Sequence, residues 1–335
     1  ERGSTTTDFD PLEKEFQSSL DSAIASIDFE GIHINIIDTP GFPDFRGPAL
    51  TGLAAGAQEG TLKKIKDSGA ITLGHRDASV PFSYYDQDEK PVGYSLELCH
   101  RIVEALKVEL KMPEIDVRYQ LVSAANRIAL MANATIDLEC GSTTNTLERQ
   151  KRVSYTLTHF VAANRFVARA SGGPESLDDL RGKAVVSTAG TTSIEQLRRI
   201  NAEKKLGAQV IPANGHAEAF LMVATGRAAA FVMDDVLLRG LVATSDSPLA
   251  FAISKEALSI EPYAIMLRKD DPGFKKAVDG AMRAIYRSGE IEAIYARWFL
   301  SPIPPKGVNL DLPMSRRLKK VLDAPTDSGN PADYR

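Results

Sequence analysis

This 335-residue chain has little of what most often marks metal chemistry or a large charged partner: five histidines, two cysteines and one tryptophan. No metal site or cofactor is read from so few ligating residues. Cys99 and Cys140 cannot make a disulfide framework; one bridge in an oxidising compartment and two small buried thiols are both open. Lys and Arg number 40 against 44 Asp and Glu, a net charge of −4, which gives nucleic acid or an anionic membrane nothing to hold. No apolar run approaches the roughly 20 residues of a membrane span, so direct membrane insertion is not expected. The phosphate-cradling run G-x-x-x-x-G-K-[ST] is missing, which excludes a working P-loop nucleotidase. What remains is ordinary: 43% hydrophobic and 25% charged residues, in a chain long enough for two or three globular domains.

The first 50 residues differ from the rest. Ile34-Asn35-Ile36-Ile37 reads as a strand running into Asp38-Thr39-Pro40-Gly41. With Gly3-Ser4-Thr5-Thr6-Thr7 and Asp8-Phe9-Asp10-Pro11 upstream, it resembles a fragment of elongation factor G-like GTPases. Without a P-loop, Asp38 and Gly41 have no phosphate to act on, and residues 1–57 are expected to be a non-functional remnant. The chain starts at Glu1, as a fragment or processed product would. Within residues 48–58, Ala55, Gly56 and Ala57 have the small-residue pattern that a signal peptidase reads, as the end of a truncated signal would.

From about residue 61 the pattern is α/β. Residues 70–74 read as a strand. Leu96, Cys99, Val103, Leu106 and Leu110 recur at helical spacing. Ile115, Val117, Tyr119 and Leu121 alternate as a half-buried strand does. A helix at 126–134 and a strand at 136–139 follow. The alternation returns with strands at 184–187, 209–211 and 229–233 and helices at 193–201 and 217–225, implying mainly parallel sheets flanked by helices. Two such units suggest two lobes, with the chain crossing back near 251–261. Helices at 274–288 and 291–299 complete the first lobe. A short helix at 314–322 precedes a tail expected to be disordered from Pro325.

In open α/β sheets, ligands sit beyond the carboxyl ends of strands. Polar residues gather there: Arg76 after the first strand, Arg127 after the strand ending at Leu121, and Ser142, Thr144 and Arg149 after Glu139. In the second unit they are Thr192, His216 and Asp234. The run Gly141-Ser142-Thr143-Thr144, read as leading into a polar helix, offers hydroxyls, backbone N–H groups and the Arg149 fork to a carboxylate. Any one of these residues has a structural explanation; their recurrence at equivalent strand ends does not. Arg76, Arg127 and Arg149, joined by His216, oppose one evident counter-charge, Asp234. Arg149 and Asp234 suit the carboxylate and ammonium of an α-amino acid. The remaining positive charge then asks for a second carboxylate, because buried unpaired charge is costly.

The runs Gly74-His75-Arg76-Asp77, Cys140-Gly141-Ser142-Thr143-Thr144-Asn145, Gly190-Thr191-Thr192-Ser193 and Met233-Asp234-Asp235 resemble the periplasmic glutamate/aspartate-binding proteins of bacterial ABC importers, solute-binding family 3. The resemblance covers residues 60 to about 325. It implies a two-lobed type II periplasmic-binding-protein fold with a two-strand hinge: residues 58–160 plus 256–305 as lobe 1, 161–255 as lobe 2, and 306–335 as a C-terminal helix and tail. It implies a monomeric, periplasmic, non-catalytic protein that binds L-glutamate or L-aspartate and delivers it to a membrane permease. Arg149, Thr144 and Thr192 would hold the α-carboxylate and Asp234 the ammonium. Arg76, Arg127, Ser142 and His216 would hold the side-chain carboxylate, and Phe82 and Tyr84 would line the wall. Where the family tends to have Thr-Ser-x-Asn-Arg, this chain has Ser123-Ala124-Ala125-Asn126-Arg127, which leaves the preference between aspartate and glutamate open. The rivals are an enzyme on the same fold, dehydratase-like, for which only His216 and Asp234 could serve as acid or base, and a sensory ligand-binding domain.

Overall fold

A computed structural model describes residues 60–335 in full and, before them, the backbone of two strands. These strands, β1 (Ala23–Phe29) and β2 (Ile32–Asp38), pair antiparallel with Ala23 opposite Asp38. The expected strand at Ile34–Ile37 falls within β2; the segments around Gly3 and Thr39 lie outside the described residues. Residues 1–60 form one unit and 61–335 another.

In the larger unit, α1 (Gly60–Ser68), which starts at the boundary residue, and β3 (Ala70–His75) come first. Next come a small sheet of β4 (Ala78–Ser79), β5 (Ser83–Tyr85) and β6 (Pro91–Val92), then α2 (Tyr94–Leu110) and β7 (Asp116–Leu121). The short α3 (Arg127–Ala132) leads to β8 (Leu138–Glu139) and β9 (Val153–Tyr155). One sheet runs β7-β3-β8-β16-β9, where β16 is Met266–Arg268. β3 is parallel to β7 and β8, while β16 is antiparallel to both its neighbours. The expected half-burial of β7 fails: it is an edge strand, with Tyr119 and Leu121 exposed.

The second sheet holds β10 (Phe160–Arg169), β11 (Ala184–Thr188), β12 (Gln209–Ala213), β13 (Ala230–Asp234), β14 (Phe251–Ile253) and β15 (Ser259–Tyr263). β11 is parallel to β12 and β13, and β10 is antiparallel to β13, β14 and β15. Its helices are α4 (Thr192–Glu203), α5 (His216–Ala224) and α6 (Asp235–Thr244). The Thr191 hydroxyl caps α4 by accepting from the Ile194 N–H, satisfying one of the donors a helix start leaves free. After β15 the chain returns to the first sheet as β16, and α7 (Pro272–Arg287) and α8 (Glu290–Phe299) follow.

Two strands of chain join the sheets, residues 156–159 and 264–265. They are stitched together: the Thr156 N–H donates to the Ile265 carbonyl and the His159 N–H to that of Tyr263. The return falls later than the 251–261 stretch suggested because β14 and β15 both stay with the second sheet by pairing with β10.

The tail is ordered, against the expectation of disorder. α9 (Arg316–Asp323) is capped by Ser315 and anchored by buried Leu318 and Val321. Beyond it, Tyr334 packs with Val161, Val321 and Ile260, and its hydroxyl lies 2.8 Å from that of Thr158 at the hinge. The Thr158 N–H donates to the Thr326 carbonyl. A polar composition concealed these anchors because they satisfy groups some 170 residues away in sequence.

Cys99 on α2 and Cys140 after β8 are joined by a disulfide. It ties the long helix to the loop carrying Ser142 and Thr144. No described helix is long and apolar enough to cross a membrane.

Candidate functional site

The carboxyl ends of β3 and β8 face those of β11 and β13 across the cleft between the sheets. A small, tight cavity there, with about 10 Å³ of free space, is lined from one side by Arg76, Arg127, Ser142 and Thr144. From the other side come Thr191, Thr192, His216, Met233, Asp234 and Leu237. Seven of the ten residues singled out from the sequence thus share one cavity. α4, α5 and α6 all begin at it, with Thr192 and His216 in first turns and Asp234 at the N-cap position of α6, where its side chain makes no capping hydrogen bond. Helix starts carry partial positive charge and free N–H groups, so this wall favours an anion.

Several lining groups have no partner among the described residues. Arg76 Nε and Nη1, Arg127 Nε, Ser142 Oγ, His216 Nε2 and Asp234 Oδ1 are all buried and unpaired. An unsatisfied buried polar group costs about 1–3 kcal/mol, more when charged, so five such residues converging on one cavity are ill-suited to a purely structural role.

Arg149 is not among the lining residues but bridges the two sides. Its Nη1 donates to the Thr144 carbonyl at 2.9 Å and its Nη2 to the Gly190 carbonyl at 3.2 Å. It is carried by a single turn of 3-10 helix (Arg149–Lys151). The helix start expected after Gly141 does not form, because Thr144 makes a bridge to Tyr263 and the Asn145 N–H donates to the Pro262 carbonyl. The helix starts that face the cavity are those of α4, α5 and α6 on the other side.

Phe82 and Tyr84 do not line the cavity. Phe82 is fully buried among Tyr94, Phe160, Tyr263 and Phe299, and Tyr84 lies against Trp298. Both are core, which their place beside Arg76 in sequence did not reveal. The apolar wall comes instead from Met233 and Leu237.

The charge count from sequence also needs correction, because two buried carboxylates were missed. Glu139, wholly buried on β8, accepts from the Thr143 hydroxyl, and its Oε1 lies 3.8 Å from Arg127 Nη1. Glu261 on β15 accepts from Thr192 Oγ1 at 2.8 Å and from Ser259. Glu139 immediately precedes the Cys140-Gly141 motif; an acid ending a buried strand was the available signal. Tyr263 donates to Asp234.

His216 contributes a hydrogen bond and not a charge. Burial, then Arg76 and Arg127, hold its pKa well below the usual value. Its Nδ1 lies 2.8 Å from Thr188 Oγ1. The tautomer in which Nδ1 accepts from that hydroxyl leaves an Nε2–H directed at the cavity. Arg127 is lowered to about 10 by burial, with Glu139 opposing and Arg149 and Arg76 adding to the depression. Asp234 is raised well above the ordinary carboxylate value by burial and by Glu261. An anion beside the arginines and a cation beside Asp234 would each reverse these penalties.

Residues 71–301 match the family described as bacterial extracellular solute-binding proteins, family 3. A protein of Pseudomonas aeruginosa named "L-glutamate/L-aspartate-binding protein" is 51% identical over 269 residues, 80% of this chain and 89% of its own length. A "glutamate/aspartate import solute-binding protein" of Salmonella typhimurium is 44% identical, covering 83% of this chain and 95% of its own. Among solved structures, an arginine-binding protein mutant from T. maritima superposes with a TM-score of 0.62 at 27% identity, covering 71% of this chain and 98% of its own.

Proposed function

Since this chain belongs to the bacterial extracellular solute-binding proteins of family 3, with their two-lobed type II fold, we propose that it binds an acidic L-amino acid, glutamate or aspartate, in the cleft and delivers it to an ABC-type permease. It is a binding protein, not an enzyme; the relatives that cover most of its length are named as binding proteins. The observation that carries the reading is the set of unpaired polar groups on one cavity, Arg76, Arg127, Ser142 and His216 at one end and Asp234 at the other.

Arg76 and Arg127 outweigh Glu139 by one positive charge, and a single side-chain carboxylate balances that surplus. Ser142 Oγ and His216 Nε2 complete its donors. At the other end Arg149, Thr144, Thr192 and the start of α4 suit the α-carboxylate. The free Oδ1 of Asp234 suits the ammonium. A neutral side chain leaves the surplus uncompensated; a basic one is repelled by it. Contacts from both sides let the ligand hold the lobes together.

The protein acts in the periplasm as a monomer. The Cys99–Cys140 disulfide accords with an oxidising compartment. Calorimetry over the amino acids tests the reading. L-Glutamate and L-aspartate are expected to bind tightly and L-glutamine and L-arginine weakly, with Arg149→Ala nearly abolishing binding. Equal affinity for glutamate and glutamine, or an unchanged Arg149→Ala variant, would overturn it.

A further inference from the structure

We propose that Glu139, which faces Arg127 and Arg76 from the strand beneath them, is a specificity-determining residue that sets the charge surplus of the side-chain end to one. The inference rests on the glutamate reading above and concerns how strongly that end prefers an anion.

Glu139 is fully buried and does not line the cavity. The Thr143 hydroxyl donates to its Oε2, and the same hydroxyl oxygen accepts from Arg127 Nη1, so carboxylate and guanidinium are linked through one side chain. Among the described residues its Oε1 has no hydrogen-bond partner. A Cβ on Gly141 would lie 2.3 Å from that oxygen and 3.0 Å from Arg76 Cγ. Glycine at 141 is thus what lets the Glu139 carboxylate lie beside Arg76. The acid acts electrostatically on both arginines.

With Glu139 ionised, two guanidinium groups present a net charge of one to a ligand. That is enough to favour a carboxylate over an amide, yet it keeps the attraction below what two unopposed arginines would exert. Glu139 is a positioning and charge-setting group, acting through Arg76 and Arg127 and not by touching the ligand.

L-Glutamate and L-glutamine have nearly one shape and differ by one charge, so the ratio of their Kd values reads charge at this end. In the isosteric variant Glu139→Gln, the preference for glutamate over glutamine is expected to rise by about tenfold or more, the effect of deleting one charge a few ångströms away. A purely structural role would weaken both ligands alike and leave the ratio unmoved, which overturns the proposal. A fall in the ratio overturns it as well.

A second comparison serves if Glu139→Gln folds poorly or glutamine binding becomes too weak to follow. Arg76→Gln alone should bring the surplus to zero and the ratio close to one. Adding Glu139→Gln to it should restore part of the preference; no restoration overturns the proposal. Failure of the wild-type protein to bind glutamate would instead sink the proposed function, so the two failures are distinguishable.

Discussion

Gly240 on α6 faces Val80 of the opposite lobe so closely that a Cβ on Gly240 would lie 2.6 Å from the Val80 carbonyl oxygen and 3.1 Å from its Cβ. A similar contact stands at the other end of the cleft, where a Cβ on Gly190 would lie 2.6 Å from Ala125 Cα. Gly190 also has φ 73, a conformation that side chains disfavour, whereas Gly240 lies in the interior of a helix. The small residue at 240 is therefore explained by lobe approach and not by backbone geometry.

Gly240→Ala should separate stability from affinity. Alanine favours a helix interior by about 0.8–1 kcal/mol over glycine, so the ligand-free melting temperature should hold or rise. The added methyl meets backbone only when the lobes are closed, so glutamate affinity should fall by about tenfold, an order set by the roughly 1–3 kcal/mol of overpacking. Calorimetry and thermal melts on one sample check both; unchanged affinity would show that closure does not need this contact.

Arg127→Ala should weaken glutamate more than glutamine. It removes a guanidinium beside the side-chain end and leaves Glu139 buried without its nearest cation. Losing one partner of a buried charge pair costs about 2–5 kcal/mol, and only the charged ligand shares the full loss. Equal losses for both ligands would contradict the assignment of Arg127 to the side-chain end.

Ligand-free closure should become easier as pH falls. In the closed cleft the Asp234 carboxyl has its pKa well above the ordinary value, through burial and then Glu261. In an open cleft water restores it toward about 3.9. Closing without ligand therefore takes up a proton, and the equilibrium shifts toward the closed form as pH drops from above the raised value toward the ordinary one. Small-angle scattering of the ligand-free protein should show a smaller radius of gyration in acid than at neutrality, and Asp234→Asn should flatten the trend.

Reduction of the Cys99–Cys140 bridge should destabilise the fold. It closes a loop with a sequence separation of 41 residues, for which the chain-entropy estimate is about 4 kcal/mol. Because Cys140 lies two residues before Ser142, reduction should also weaken glutamate binding. Melts with and without reductant, repeated on a Cys99→Ser/Cys140→Ser variant, check this; no change in the melting temperature would count against a structural bridge.

Tyr334→Phe should cost about 1–3 kcal/mol, the net worth of two hydrogen bonds, because the hydroxyl meets that of Thr158 and donates to the Ser328 carbonyl. Denaturant unfolding reads this directly. A neutral substitution would indicate that the tail does not hold the hinge.

Much of this protein was legible before any coordinates. Strand and helix periods located β3, β8, β11 and β13, and the polar residues following them are those that meet at the cavity, because side chains at strand ends converge wherever parallel strands share a sheet. The short-range motifs around Arg76, Ser142, Thr192 and Asp234 named the donors and the acceptor. Tertiary structure alone decided which charges oppose one another: Glu139 reaches Arg127 and Arg76, and Glu261 reaches Thr192 and Asp234, across separations no local pattern encodes. It also consigned Phe82 and Tyr84 to the core, ordered the tail through Thr158 and Tyr334, and set Gly240 against Val80. Local sequence fixes the conformation a segment prefers, whereas burial and charge balance depend on whatever distant chain folds against it.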